Sequence, residues 1–239
     1  MSIISPLKNL IFLVITIGFT LLLLKRLLGP YAIVVPVLYL FFDVNAGIRV
    51  VLLFVKRKWI PVFWRRDDND FLETSKITFF VLPSDMDINL HMNNGRYLRE
   101  CEFGRIDFWI SNGMFEVMEK NNTAVTVTAT CARYRRSLHL YQKIVLQTRV
   151  LAWDEDAFYL EQRFVGKNGF VHALVQSKNK TVSRDNSGRL FTPEELVSLL
   201  YGECKESPRK SEDLELWIKY NSVSCERLKT ISLPTDAMN

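Results

Sequence analysis

Asp85, Asp87, His91, Asn93 and Asn94 fall within ten residues of one another in the stretch SDMDINLHMNNGRYLRECEFGR (Ser84 to Arg105), directly before a segment with helical spacing. A carboxylate in that place can act as a general base on water or attack directly. The N-terminus of a helix adds backbone N–H groups without intrahelical partners and the positive end of a dipole, which together accept a polarised carbonyl or a developing oxyanion. Asn93 and Asn94 suit an N-cap, and His91 is placed to orient a carboxylate or a substrate oxygen. These parts suit attack on an activated acyl group. A plainer reading stands beside it, in which Asp87, Asn93 and Asn94 only cap the helix, Asp85 is a solvated turn residue and His91 is structural.

Few other residues offer chemistry. The run RYRR (Arg133, Tyr134, Arg135, Arg136) is either a solvated strand end or a grip for the phosphates of a nucleotide carrier, since guanidinium forks match phosphate geometry. His139 and His172 are expected on separate strands, without an acidic neighbour at useful spacing, and read as structural. Cys101, Cys131, Cys204 and Cys225 are far apart, which excludes a zinc ribbon or a disulfide framework. No G-x-S-x-G elbow, phosphate-binding loop or metal-ligand cluster appears, so a serine hydrolase, a nucleotidase and a metalloenzyme are set aside.

The elements that must position the loop follow from periodicity. KITFFVL (Lys76 to Leu82) has strand character and ends at Pro83. NGRYLRECEFGRIDFWI then predicts a helix with Tyr97, Leu98, Cys101, Gly104, Phe108 and Trp109 on its apolar face and Arg96, Arg99, Glu100 and Asp107 largely on the other. Gly104 in that face predicts close approach to another backbone. In TAVTVTATCARY the period becomes two, with Val125, Val127, Ala129 and Cys131 alternating with threonines. KIVLQTRVLAW, AFYLEQRFV and FVHALVQSK continue as strands, joined by the turn signals WDED and KNG, so the sheet is expected to be antiparallel. TPEE (Thr192 to Glu195) is a capping box opening a short helix, and LELWIKYNSVSCERLK predicts another amphipathic one. A strand, a loop, a long helix and at least four antiparallel strands around it outline an α+β hotdog fold.

The N-terminus is of a different kind. Leu10 to Leu24 carries no charge, and after Lys25 and Arg26 a second apolar run continues from Leu27 to Phe42. Each run is a little short for a hydrocarbon core of roughly 30 Å. An uncleaved membrane anchor, with the two runs as a hairpin, is favoured over a cleaved signal, because KRLLGPY lacks a small-x-small site. The net charge of +5, much of it beside this region in KRK (Lys56 to Lys58) and RR (Arg65, Arg66), points to a membrane surface rather than nucleic acid. The sequence therefore divides into an anchor and basic linker (1–66), a globular domain (67–202) and a C-terminal helical extension (203–239). The expected location is a membrane, with the endoplasmic reticulum as the first assignment and secretion after cleavage as the alternative. Asn121 and Asn179 head glycosylation triplets usable only in a lumen.

The acid-x-acid pair, the H-x-N-N element and the tyrosine and arginines after it, together with CARYRRSLHL, WDEDAFYLEQRFV and GFVHALV, resemble the 4-hydroxybenzoyl-CoA thioesterase family of hotdog proteins over roughly Ser75 to Leu228. The resemblance implies acyl-CoA or acyl-carrier thioesters as substrates, no cofactor beyond the coenzyme A of the substrate, and homodimers or tetramers. It places Asp87 as the catalytic carboxylate and Asn94 at the N–H facing the thioester carbonyl. His91 and Asn93 support or orient the substrate, with Asp85 beside them and Tyr97, Arg133, Arg135 and Arg136 toward it. One departure is Leu90, where many relatives carry glycine, and its larger side chain is expected to narrow the pocket or redirect the backbone. A catalytically weak hotdog protein that binds acyl chains or lipids, or acts as a membrane interaction module, is the alternative. Hydratase-type chemistry, which resembles D-x-x-x-x-H, fits poorly, since Asp87 lies one residue too near His91 and Asp85 one too far.

Overall fold

The computed structural model describes residues 15–20, 22, 23, 25–27, 29, 44–59, 70–184 and 189–230. The chain divides into two compact units, Met1–Lys56 and Arg57–Asn239. Helix α1 (Val44–Trp59) exposes Ile48, Val51, Leu52 and Val55 at helical spacing. Among the described residues no helix is long and apolar enough to cross a membrane, and most of the two apolar runs expected to form the anchor lies outside those residues.

The second unit runs β1 (Ser75–Phe80), α2 (Asn94–Ser111), α3 (Met114–Lys120), β2 (Thr123–Tyr134), β3 (Lys143–Trp153), β4 (Ala157–Val165), β5 (Val171–Ser183), α4 (Pro193–Tyr201) and α5 (Glu212–Thr230). The strands form one sheet in the order β1-β3-β4-β5-β2, with every pairing antiparallel. Period-two burial explains this arrangement, because successive β3 residues alternate between buried and half-buried along most of the strand. Helix α2 lies across the sheet and buries Tyr97, Cys101, Gly104 and Phe108, which recur at the 3.6-residue period. Gly104 makes the contact possible. A Cβ there would lie 2.7 Å from Gln162 Nε2, 2.8 Å from Leu146 Cδ2 and 2.9 Å from Thr148 Oγ1.

Several expectations are corrected. Leu98, assigned to the apolar face of α2, is 41% exposed, whereas Glu100 and Asp107, assigned to the polar face, are 0% and 8% exposed. The flank carrying these acids is covered: the Ser75 hydroxyl donates to Asp107 at 3.1 Å and Arg99 lies 3.7 Å from Glu100. In β2 a bulge between Val127 and Ala129 breaks the alternation, and Val127 is exposed on this edge strand. Strand β5 extends beyond Lys178 to Ser183, because it pairs with both β4 and β2 and buries Asn179 and Thr181. The Asn179 side chain donates to the Ser177 carbonyl at 3.1 Å and is 1% exposed, which closes this triplet to a glycan in the folded protein. Helix α3 has no counterpart in the periodicity reading, since its seven residues are too few to show a period; Gly113, at φ 80, starts it and Met114 and Met118 bury it.

Helix α4 opens as expected. Glu195 N–H donates to Thr192 Oγ1 at 3.2 Å and Thr192 N–H to Glu195 Oε2 at 2.9 Å, and Gly202 in the left-handed region closes the helix. Tyr201 near its end donates to Asp70 and accepts the Phe71 N–H at 2.9 Å, fastening the start of the unit to α4. All four cysteines are free; burial pushes the Cys101 thiol up to about 12, while Cys131, Cys204 and Cys225 are exposed.

Two measurements check this packing. Gly104→Ala is expected to lower stability in chemical denaturation by about 2 kcal/mol, because overpacking outweighs the gain in helix propensity. Thiol titration of the native protein should label Cys131, Cys204 and Cys225 and reach Cys101 only on unfolding.

Candidate active site

The site is built around a short hairpin between β1 and α2. Pro83–Asp85 forms one turn of 3-10 helix, with proline supplying a fixed φ at its start. Asp85, 2% exposed, accepts the Leu82 N–H at 2.9 Å through Oδ2 and the Arg99 guanidinium at 2.5 Å through Oδ1, while its carbonyl accepts the Asn93 N–H at 2.8 Å. Both carboxylate oxygens are therefore committed to structure. Asp85 holds the turn, the helix cap and the second turn of α2 together, and the solvated-turn reading of this residue does not hold.

Beyond Asp85 the chain doubles back. Met86 bridges Met92, Asp87 N–H donates to the His91 carbonyl at 2.9 Å, and Leu90 N–H donates to the Asp87 carbonyl at 3.1 Å. The hairpin closes through Ile88, Asn89 and Leu90, a three-residue connection that ends in the left-handed region. Leu90 adopts that conformation, with φ 59, and its side chain is 67% exposed. The backbone thus keeps the path that glycine favours, at a cost of about 1 kcal/mol. The side chain points to solvent, contrary to the expected narrowing or rerouting.

The hairpin carries Asp87 and leads directly into the helix start. Asp87, half-buried, accepts the Asn89 N–H at 2.8 Å and more weakly the His91 N–H at 3.4 Å, both on Oδ1; its Oδ2 has no hydrogen-bond partner among the described residues. Asn93 caps α2 by accepting the Gly95 N–H at 2.9 Å, as expected. Asn94 is the first helical residue, and its N–H has no hydrogen-bond partner among the described residues, while its carbonyl accepts the Tyr134 hydroxyl at 3.2 Å. A carboxylate oxygen and a helix N–H are thus held on one backbone unit.

The loop between β2 and β3 backs this hairpin. Met92 N–H donates to the Leu138 carbonyl at 3.0 Å, and the His91 and His139 rings meet edge to face with centroids 5.2 Å apart. Beside them opens a cavity of about 720 Å³ lined by Arg136, Ser137, His139, Gln142, Lys167, Asn168 and His172. Its walls carry cations and no acid. Phe170 stacks under both Arg135 and Arg136, at 4.8 and 4.3 Å from its ring centroid, which holds the guanidiniums at this end of the sheet. His172 faces the Arg136 carbonyl with Nδ1 at 3.3 Å and the Gln142 amide nitrogen with Nε2 at 3.2 Å. Because a carbonyl only accepts, the Nδ1–H of His172 donates to it, which fixes the ring against the β2–β3 loop.

The structure brings together Asp85, Asp87, His91, Asn93 and Asn94, with Arg136 beside them through the loop containing His139. Arg133 is exposed on β2 and, like Arg135, is not among the cavity's lining residues. Tyr97 is 2% exposed, packed at 5.0 Å from both Tyr134 and Phe164, and burial raises its hydroxyl pKa; it underlies the site from the core. Lys167, Gln142 and Asn168 escaped the sequence reading, and His139 and His172 were read as structural, because the cavity draws on segments with no shared spacing. His139 lies in the β2–β3 loop rather than on a strand.

A helix across an antiparallel sheet, with a polar hairpin at the helix start, defines the hotdog class. Within that class the chain belongs to the thioesterase-like superfamily, whose family model matches residues 81–219. It is similar to Protein THEM6 of Xenopus laevis, 36% identical over 191 residues that span 80% of this chain and 86% of that protein. Protein THEM6 of Drosophila melanogaster is 32% identical over 202 residues, spanning 83% and 97%. Among solved structures, the YbaW probable thioesterase of Escherichia coli aligns with a TM-score of 0.46 and 20% identity over 53% of this chain and 95% of its own.

The unequal duties of the two acids predict unequal mutants. Asp85→Ala should destabilise the domain by about 3 kcal/mol, since it leaves Arg99 without its closest carboxylate. Leu90→Gly should raise stability by roughly 0.5 kcal/mol, relief of the left-handed strain outweighing the added freedom of the unfolded chain. Urea denaturation of both variants checks these signs.

Proposed function

We propose that the protein hydrolyses an acyl thioester on a phosphate-bearing carrier, with acyl-coenzyme A as the expected substrate. The observation that carries this reading is that Asp87 Oδ2, on the hairpin, and the Asn94 N–H, at the helix start it leads into, both lack a hydrogen-bond partner among the described residues. In this reading the thioester carbonyl oxygen points at Asn94 N–H, where the helix dipole favours the growing negative charge. Asp87 takes a proton from water as the water oxygen attacks the carbonyl carbon, or attacks that carbon itself to give an anhydride that water then opens. Either route breaks the C–S bond, and the departing thiolate takes up a proton as the acid is released. Asp85 and Asn93 hold the loop, and the His91 backbone N–H, 3.4 Å from Asp87 Oδ1, helps to orient that carboxylate.

The cationic cavity suits the carrier's phosphates. Arg136 and Lys167 line it, Arg135 stands next to it, and arginine binds phosphate through paired N–H donors. No cofactor apart from the coenzyme A of the substrate enters this scheme. We further assign the apolar runs before Phe42 to membrane anchoring at the endoplasmic reticulum, which favours a long, membrane-partitioned acyl chain. The open edge of β2 supports association with a second copy into a dimer or tetramer.

Thiol release from a panel of short, medium and long acyl-coenzyme A substrates tests the reading. Asp87→Asn preserves the acceptor that closes the hairpin turn, so its melt should match the parent while kcat falls by about 10² to 10⁴. Arg136→Ala and Lys167→Ala should raise KM about tenfold with little change in kcat. A folded Asp87→Asn protein with full turnover would overturn the assignment.

A further inference from the structure

Helix α5 covers the outer face of the sheet. Its Leu214, Trp217 and Ile218 pack on Leu151, Ala152 and Tyr159, and Asp213 accepts the Gln176 side-chain amide at 3.0 Å. Tyr159 alternates along β4 with Phe158 and Leu160, so α5 lies on the opposite side of the sheet from the core that contains those two residues. That packing uses one side of the helix. About a third of the way round, Leu216, Tyr220 and Val223 are 62%, 66% and 57% exposed, and Arg227 continues their line. Spacings of four, three and four residues make this a seam of alternating heptad core positions.

The charges beside the seam are arranged unequally. Glu212, Lys219 and Glu226 follow one flank at seven-residue intervals, while the other flank is Trp217 and Ser224, both half-buried. A parallel partner would set the charged flank against the Trp217 and Ser224 flank of its neighbour. An antiparallel partner sets the charged flank against itself, where Lys219 meets Glu226 of the partner subunit and, by symmetry, the converse pair forms as well. A bilayer is a poorer occupant, since helices that lie on membranes carry lysine and arginine along the polar border, whereas this border alternates in sign and ends acidic. We propose that α5 pairs antiparallel with α5 of a second copy, with Tyr220 and Val223 at the two-fold axis and Arg227 reaching past Leu216 of the partner subunit.

This contact joins domains through their outer sheet faces. Neither the β2 edge nor the hairpin at Asp87 contributes a residue to the seam, so it adds an association step to any pairing made there. Sedimentation velocity of the full chain in detergent, across a concentration series, is the test, with Tyr220→Glu, Lys219→Glu, Glu226→Lys and the Lys219→Glu/Glu226→Lys double variant compared. All three positions lie on the exposed side of the helix, and a thermal melt confirms that each variant is folded. The expected result is loss of one association step in Tyr220→Glu, a step at least tenfold weaker in each single charge reversal, and recovery toward the parent in the double variant. Unchanged association in folded Tyr220→Glu overturns the proposal. A double variant no better than either single one overturns the antiparallel register.

Discussion

The buried carboxylate of Asp85 is the constraint on which the site depends. A charged group 2% exposed must be fully partnered or it destabilises the fold, and Asp85 answers with a turn N–H on one oxygen and the Arg99 guanidinium on the other. Because Arg99 belongs to α2 and the turn belongs to the end of β1, this bond ties the strand exit to the helix. The Asp85 carbonyl then takes the Asn93 N–H, which fixes where the helix begins. The hairpin between these ties can only loop outward, and it carries Asp87 at its base.

The position of α2 gives that tie a rigid base. Gly104 lets the helix backbone press onto β3 and β4, where Gln162 donates to the Cys101 carbonyl at 2.8 Å and to Thr148 Oγ1 at 3.1 Å. The sheet therefore sets the height of the helix N-terminus relative to the β2–β3 loop and the cavity beside it. Local strain is concentrated at this same end, where Leu90 and Tyr141 both adopt φ 59. Tyr141 is held there by its N–H, which donates to the Val81 carbonyl at 2.8 Å, so both loops are pinned in costly conformations.

Much of this was legible in the residues, and the failures have physical causes. Strands β2, β3 and β4 follow their expected limits because their runs of β-branched and aromatic residues are interrupted cleanly by turn residues. Gly104 announced its contact because a glycine in an apolar stripe has few other reasons to persist. Asp85 and Asp87, by contrast, look equivalent as letters, and burial alone separates the structural acid from the available one. Glu100 and Asp107 misled for the same reason, since periodicity marks them polar but says nothing of the strand that covers that flank. The bulge in β2, the length of β5 and the cavity all arise from pairing between segments distant in sequence, which no local pattern records.

In the proposed reaction the Asn94 N–H and Oδ2 of Asp87 face one thioester carbonyl. The most direct measurement is the amide resonance of Asn94 in isotope-labelled protein during titration with a non-hydrolysable acyl-coenzyme A analogue that retains a carbonyl at the thioester position. A saturable downfield shift of this amide, with slowed hydrogen exchange, is the predicted result. Saturable binding that leaves the Asn94 amide unmoved while other residues respond would contradict the account and separate the carrier-binding surface from any oxyanion site at the helix start.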